Sequence, residues 1–309
     1  MSILIAAYNS VRYVPETLAS VLGQTYDDWE VILADDASTD DTVAVAQSFG
    51  ERIRVVKANM NSGRPSATRA LALEHAGGEL VAFLDADDLW TPSYLEELTE
   101  LFDLQRRKDN RVAVAACDAR LLLSDGTLAR DTFATHAGSA EGLTVERLLI
   151  SNPIYTSALV SRAVVAEAGG VAVDLVGTDD YDLWLRVLEL GYRVAWTPEA
   201  LAIYRVRPDS LSADLAEMAQ NMQGAYARAI ARGRLTRTQA RLARRRLRIH
   251  KAAELWETLV DRRRDGAWPV AQALAAAPLL GRVAIENVVR TPAAVREIRR
   301  VGGPFSRAS

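Results

Sequence analysis

LVAFLDADDLW, residues Leu80–Trp90, is a run of five apolar residues leading into three carboxylates, Asp85, Asp87 and Asp88. An apolar run of that length reads as a buried strand. Three carboxylates at one strand end repel each other and are tolerated together in water or around a cation. Aspartate oxygens suit Mg²⁺ or Mn²⁺, and either ion can also hold a diphosphate. The plainer alternative is an acidic turn favouring the start of the next helix. The stretch by itself leaves both open.

Working outward, Ser2–Ala7, Trp29–Ala34 and Ile53–Lys57 also read as buried strands. The first ends at Tyr8-Asn9-Ser10 and the second at Asp35–Asp41; the loop Asn61–Pro65 follows the third. Helical spacing fills the gaps at Pro15–Gln24, Thr42–Phe49 and Ser66–His75, with Ser38 or Thr39 as the expected cap of the second helix. Strands and helices alternating every ~25 residues imply right-handed crossovers and a mostly parallel sheet. In such sheets ligands bind beyond the carboxyl ends of the strands. That rule brings Tyr8, Asp36 and Asp87 to one edge, although they are far apart in sequence.

Downstream, Pro92–Gln105 reads as an amphipathic helix, and Val112–Cys117, Ala119–Leu123 and Asn152–Val160 as strands. Residues 130–143 read as a surface loop and Arg162–Ala168 as a short helix. Gly177–Leu190 opens with Thr178-Asp179-Asp180-Tyr181-Asp182 and continues as a helix with Leu183, Trp184, Val187 and Leu188 inward. Arg193–Trp196 and Leu201–Arg205 are the last expected strands.

Composition bounds the reading. The chain has 309 residues, 49% apolar and 25% charged, as expected of a globular protein. One cysteine, Cys117, and three histidines argue against a zinc site, and the lone cysteine fits a reducing cytoplasm. No stretch reads as a signal peptide or a transmembrane helix. The net charge of −3 hides an asymmetry. Residues 215–309 hold 19 Lys/Arg and 7 Asp/Glu, a net of +12, whereas residues 1–214 carry −15. Two regions with different partners are expected.

Together, Ala6-Ala7-Tyr8-Asn9, Asp35–Asp40, Asn61–Arg69, Asp85–Asp88 and Asp179–Arg186 resemble, in that order, the motifs of an inverting glycosyltransferase of family 2 with the GT-A fold. The resemblance covers roughly residues 2–212. It implies an α/β fold, a Rossmann-like and mostly parallel sheet flanked by helices, with a C-terminal helical extension. It also implies a divalent metal, Mn²⁺ or Mg²⁺, held by Asp87 and Asp88, with Asp85 at the ribose or orienting a water of the metal. Asp180 is the expected base that takes the acceptor proton, and its neighbour Asp179 should raise its pKa by like-charge repulsion. Ala7, Tyr8, Asn9, Asp36, Arg69 and Arg207 complete the expected nucleotide site. Tyr8 covers the base or packs as a strand-end aromatic, and Asp36 accepts from a ring N–H, which favours uracil or thymine. Asp35 and Asp40 read as turn and cap residues, and Arg186 as pairing within its own helix.

The chain departs from the family pattern in three places. Ala6 stands where proline is usual, and Thr68 where alanine is; both changes are mild. Arg207 stands in the histidine position of the usual Tyr-Arg-x-His-x-x-Ser-x-Ser. Arginine cannot bind a metal but neutralises phosphate directly. No QxxRW motif follows, so addition of a single sugar is expected rather than polymerisation.

The expected domains are a catalytic region, 1–213, and a basic helical region, 214–309. The first comprises a nucleotide-sugar half, 1–110, and an acceptor half, 111–213, with acceptor choice in 130–160 and 170–178. In the basic region Leu215–Ile230 and Thr236–Val260 read as helices, the second crowded with arginines. An anionic membrane surface fits this run better than nucleic acid, for which no recognition motif is present. A solvated face or a homodimer contact are the alternatives. The apolar stretch Trp268–Leu280 is expected to lie at an interface. The expected protein is a cytoplasmic enzyme, peripheral at the inner face of the plasma membrane, that moves one sugar from a UDP-sugar, or next a dTDP-sugar, to a surface glycan or its lipid carrier. A degenerate domain acting as a scaffold is the non-enzymatic rival. A sugar nucleotidyltransferase is the enzymatic one, but Tyr8–Arg12 stands where it would carry a Gly-rich basic loop.

Overall fold

Four strands form the half of the sheet that matters most for the site: β1 (Ser2–Ala7), β2 (Glu30–Asp35), β3 (Ile53–Lys57) and β4 (Leu80–Asp85). They lie in the order β3-β2-β1-β4, all parallel. Their apolar runs are continuous because both faces are covered. On one face Ile3, Ile5, Val31, Leu33 and Leu84 pack with Leu18 and Val21 of α1 (Val14–Leu22) and with Leu95, Leu98 and Phe102 of α4 (Tyr94–Lys108). Between these helices in sequence come α2 (Thr42–Gln47) and α3 (Pro65–Glu74), and α3 packs on β1 and β2. The register sets Asp35 beside Ala7 and Asp85 beside Ala6. The exits of three strands are therefore level, and the predicted edge exists. The structure, a computed structural model, describes residues 1–211 and 214–264. The stretch Trp268–Leu280 lies outside the described residues.

The second half of the sheet departs from expectation in instructive ways. Two short strands were expected over 112–123, but β6 (Val112–Leu122) is continuous. The break is absorbed at Asp118, where the register with its neighbour shifts. The Asp118 carboxylate takes the backbone N–H groups of Ala119 and Ala134. Likewise Arg193–Arg205 is one strand, β9, with Thr197-Pro198-Glu199 bulging opposite Cys117. Residues 130–143, expected as loop, hold the end of β7 (Leu128–Thr132) and the short helix α5 (Phe133–Ala137), which begins with a Thr132–Thr135 capping box.

Only Leu159–Ser161, β8, is a strand in the segment expected to be strand from Asn152. A two-residue strand β5 (Leu89–Trp90) and the helix α6 (Val145–Ile150) were not expected. The whole order is β3-β2-β1-β4-β8-β6-β9-β5, with β7 on β6. Neither Ser38 nor Thr39 caps α2. Instead Asp40 accepts from the backbone N–H of Thr42, while the Ser38 hydroxyl takes the N–H of Asn9. The helices α7 (Arg162–Glu167) and α8 (Asp179–Glu189) complete this part, and Leu183, Trp184, Val187 and Leu188 of α8 are buried as expected.

Compactness divides the chain at Arg205: one unit is Met1–Arg205 and the second begins at Val206. The second unit holds a pair of helices, α9 (Leu215–Ala231) and α10 (Arg237–Arg264), joined by a short connection and packed on each other. Among the described residues no helix is long and apolar enough to cross a membrane.

One glycine is fixed by close approach. A Cβ on Gly78 would stand 2.6 Å from the backbone nitrogen of Ser2 and 2.7 Å from the carbonyl carbon of Met1. The contact is backbone, and the same Gly78 N–H donates to the Ser2 hydroxyl at 2.8 Å, so neither side can yield cheaply. Gly78→Ala should destabilise the protein by about 1–3 kcal/mol, seen as a lower urea midpoint. An unchanged midpoint would show that the start of β1 can shift freely.

Candidate active site

The site begins with Arg69 on α3. Its side chain is buried, and a buried guanidinium requires partners. Nη1 lies 2.9 Å from both carboxylate oxygens of Asp179, the first residue of α8. Nη2 lies 2.5 Å from Oδ1 of Asp85, the last residue of β4. One guanidinium therefore ties the end of a central strand to the start of a helix 110 positions on from Arg69 in sequence. Asp179, Asp85 and Asp180 hold its pKa well above the usual arginine value against the opposing effect of burial. The sequence reading set Arg69 against the nucleotide; the structure sets its guanidinium between two carboxylates.

Asp180 differs from its neighbour. It is only partly buried, and its Oδ2 accepts from the Thr156 hydroxyl at 3.2 Å. Oδ1 faces the N–H of Tyr181 at 2.7 Å. Burial first, then the charge of Asp179, pushes its pKa up to about 6, against the pull of Arg69. The like-charge effect expected from sequence is present but second to desolvation.

The turn after β4 is pinned at three successive backbone carbonyls, Asp85 to Asp87. Asp88 N–H returns to the carbonyl of Asp85, the Thr17 hydroxyl takes the carbonyl of Ala86 at 2.9 Å, and Arg205 Nε takes that of Asp87 at 2.8 Å. Asp88 is buried. Its Oδ2 accepts from the Tyr155 hydroxyl and its Oδ1 from the backbone N–H of Arg205. Burial, with Asp87 and Asp85 beside it, pushes its pKa well above the carboxylate range. Both oxygens of Asp88, expected as a second metal ligand, are engaged in holding the turn as folded. Asp87, half-buried, remains the ligand candidate, and Asp85 keeps Oδ2 outside its ion pair.

The first two strand exits are joined by Asn9, whose Oδ1 accepts from the Thr39 N–H at 2.9 Å and whose own N–H donates to Ser38. Asn9 and Ala37 both have positive φ, 46° and 58°, so both loops are held in conformations that side chains disfavour. Tyr8, at the exit of β1, is 47% exposed, a large aromatic ring open at the sheet edge. Ala7 is buried, and its carbonyl takes the N–H of Asp36. The buried Asp36 carboxylate accepts from the backbone and the hydroxyl of Ser62. A carboxylate has about four acceptor directions, so one remains beyond the three contacts to Ser62.

Asp35 and Asp40 bind nearby backbone N–H groups, as turn and cap residues do. Arg186 pairs with Asp182 one turn back in its own helix at 2.8 Å. Arg207 is in the second unit, where its Nε lies 3.6 Å from Asp209.

Sequence reasoning missed Tyr155, Thr156, Ser62 and Arg205. The first three carry no periodic or spacing signal. Arg205 had one, because Tyr204-Arg205 is part of the motif quoted for Arg207. Its three bonds, to Asp87, Asp88 and Glu16 (2.6 Å), make it the clamp that couples β9 to the acidic turn.

The donor set fits a hard divalent cation. One guanidinium faces Asp179, Asp85 and Asp180, with Asp87 and Asp88 close to Asp85, so carboxylates outnumber cations. All of these donors are oxygen. Among the described residues no three acidic or histidine side chains are grouped to hold a metal.

A family model described as glycosyl transferase family 2 matches residues 2–167. TuaG of Bacillus subtilis (strain 168), named as a teichuronic acid biosynthesis glycosyltransferase, is 35% identical over 219 residues, covering 69% of this chain and 82% of its own. WfaP of Escherichia coli, named UDP-Glc:alpha-D-GlcNAc-diphosphoundecaprenol beta-1,3-glucosyltransferase, is 28% identical over 217 residues, covering 69% and 80%. Among solved structures, S. aureus TarS with UDP-GlcNAc superposes with a TM-score of 0.64 at 19% identity, over 82% of this chain and 72% of that one. The mannosyltransferase PcManGT of Pyrobaculum calidifontis, with GDP-Man and Mn²⁺, gives 0.64 at 21% identity over 99% and 87%. The likeness to both structures is one of fold, GT-A.

Arg69→Met would leave a buried Asp179 unpaired, and breaking such a pair costs about 3–5 kcal/mol. Denaturant unfolding should show that loss, and the double variant Arg69→Met/Asp179→Leu should recover most of it. A loss under about 1 kcal/mol in the single variant would mean that the ion pair does not bear on stability.

Proposed function

The chain belongs to glycosyltransferase family 2, and from that membership we propose that it transfers one sugar, with inversion, from a UDP-sugar to the hydroxyl of a growing surface glycan or its lipid carrier. A dTDP-sugar is the second choice of donor. The observation that carries the reading is the split between adjacent carboxylates at the start of α8. Asp179 is neutralised by Arg69, whereas Asp180 has a pKa of about 6 and stands beside the Thr156 hydroxyl. A base poised near neutrality is what the acceptor oxygen needs as it attacks the anomeric carbon.

In this reading the bond from the anomeric carbon to the diphosphate breaks and a bond to the acceptor oxygen forms on the opposite face. The acceptor proton passes to Asp180, and the nucleoside diphosphate leaves. Asp85 reaches the ribose with the oxygen that Arg69 does not hold. Tyr8 lies over the base, and Asp36 takes its ring N–H with the acceptor direction left by Ser62. Cytosine lacks that donor; uracil and thymine have it. A divalent cation bound with the diphosphate, with Asp87 as its protein ligand, would supply positive charge to the departing phosphate oxygens.

Support for the donor comes from TarS, solved with UDP-GlcNAc, and from WfaP, named for UDP-Glc. WfaP is also named for a diphosphoundecaprenol-linked acceptor, which favours a lipid-linked acceptor here. TuaG, named for teichuronic acid, favours a cell-surface polymer.

Nucleotide release from a panel of UDP-, dTDP- and GDP-sugars tests the reading, and product anomers read by NMR test the inversion. With a UDP-sugar, kcat/KM should fall as pH drops through about 6, because Asp180 must be ionised to accept the proton. Asp180→Asn should lose about 10²–10⁴-fold in kcat and still bind UDP. Full turnover in that variant, or a GDP-sugar preferred over every UDP-sugar, would overturn the assignment. Binding of UDP without release from any sugar would favour a scaffold.

A further inference from the structure

The acidic site does not account for the charge of the C-terminal unit. In α10, Arg237, Arg241, Arg244, Arg248 and Lys251 are all exposed, at spacings of 4, 3, 4 and 3 residues. That spacing draws one line along a helix. At 1.5 Å per residue the line is about 21 Å long. Residues 237–251 hold seven basic side chains and no acidic one. None of the five in the line forms an ion pair with a described residue.

The opposite face of α10 is already used. Ala243 is buried, the His250 ring stacks near Tyr226 of α9 with centroids 5.4 Å apart, and Glu254 accepts from Gln223 at 2.6 Å. The α9–α10 packing therefore fixes which side of α10 meets solvent, and that side is cationic. Five like charges in a line repel one another, and an anionic partner relieves that repulsion. Past the end of the line, and about a quarter of a turn round the helix from it, Trp256 is 48% exposed.

We propose that this face of α10 docks on an anionic lipid bilayer, with the five cations at the phosphate level and Trp256 at the flank of the contact. Lys and Arg near a negatively charged leaflet each add favourable energy, and tryptophan is the side chain most at home at the membrane–water boundary. A nucleic acid could also meet the phosphate-binding charges. However, the line offers no Asn or Gln to a base edge, and a single exposed indole is not a stacking platform. The inference goes beyond the transfer reaction and is tested without any donor.

The test is flotation of the full-length protein with vesicles of phosphatidylcholine containing phosphatidylglycerol, and with vesicles of phosphatidylcholine alone. The protein should float with the anionic vesicles at low salt and be released at high salt. Each single change, such as Arg244→Gln, should lower the partition coefficient roughly fivefold. The variant with all five changed to Gln should stay unbound while keeping its circular dichroism and melting temperature. If the five-fold variant does not fold, the single variants and Trp256→Ser, which should also bind more weakly, carry the test. No flotation at low salt, equal binding to neutral vesicles, or displacement from vesicles by a low concentration of duplex RNA would overturn the proposal.

Discussion

Arg69 placed between Asp85 and Asp179 is the constraint on which the site depends. Two carboxylates from distant parts of the chain could not approach each other at the buried edge of a sheet without a cation between them. With the guanidinium there, they approach and fix the start of α8 against the exit of β4. Arginine suits the place because it stays charged when buried and presents its donors in a planar fork. A lysine would have one point of charge for two partners. Neutralising Asp179 leaves Asp180, one residue on, as the carboxylate whose proton is exchangeable near neutral pH.

A second lock sits beside the first. The acidic turn could flex if its backbone were loose, and Asp87 would then have no defined position. Thr17, Arg205 and the Asp88 N–H hold the backbone, while Tyr155 and Arg205 hold the Asp88 side chain. The two neighbouring acids divide their tasks by burial. Asp88 faces the protein with both oxygens hydrogen-bonded, and Asp87 is more exposed. Preorganisation of this kind matters because a transfer site gains little from a charge that must first be positioned.

The first four strands and their shared exit edge were legible in the sequence because parallel strands buried on both faces leave unbroken apolar runs; their order β3-β2-β1-β4 was not. The strand-end rule placed Asp36 at the edge, whereas Asp180, at the start of a helix, was singled out by motif order alone. What could not be read was pairing at long range. Asp88 and Asp87 look alike in sequence; only the approach of Tyr155 and Arg205 distinguishes them. Arg69 could be assigned to the edge but not to its partners, because Asp179 comes from a helix whose position depends on the whole sheet. In the second half of the sheet, the breaks at Asp118 and at Thr197–Glu199 looked like strand ends and are bulges, a distinction set by the neighbouring strand.

The central claim is that these locks present a nucleotide-diphosphate site completed by a metal through Asp87. Calorimetric titration of UDP in Mn²⁺ and in EDTA, on the native chain and on Asp87→Ala, tests it most directly. The account predicts UDP binding with Mn²⁺ that is lost both in EDTA and in the variant. UDP binding indifferent to the metal and to Asp87 would contradict it.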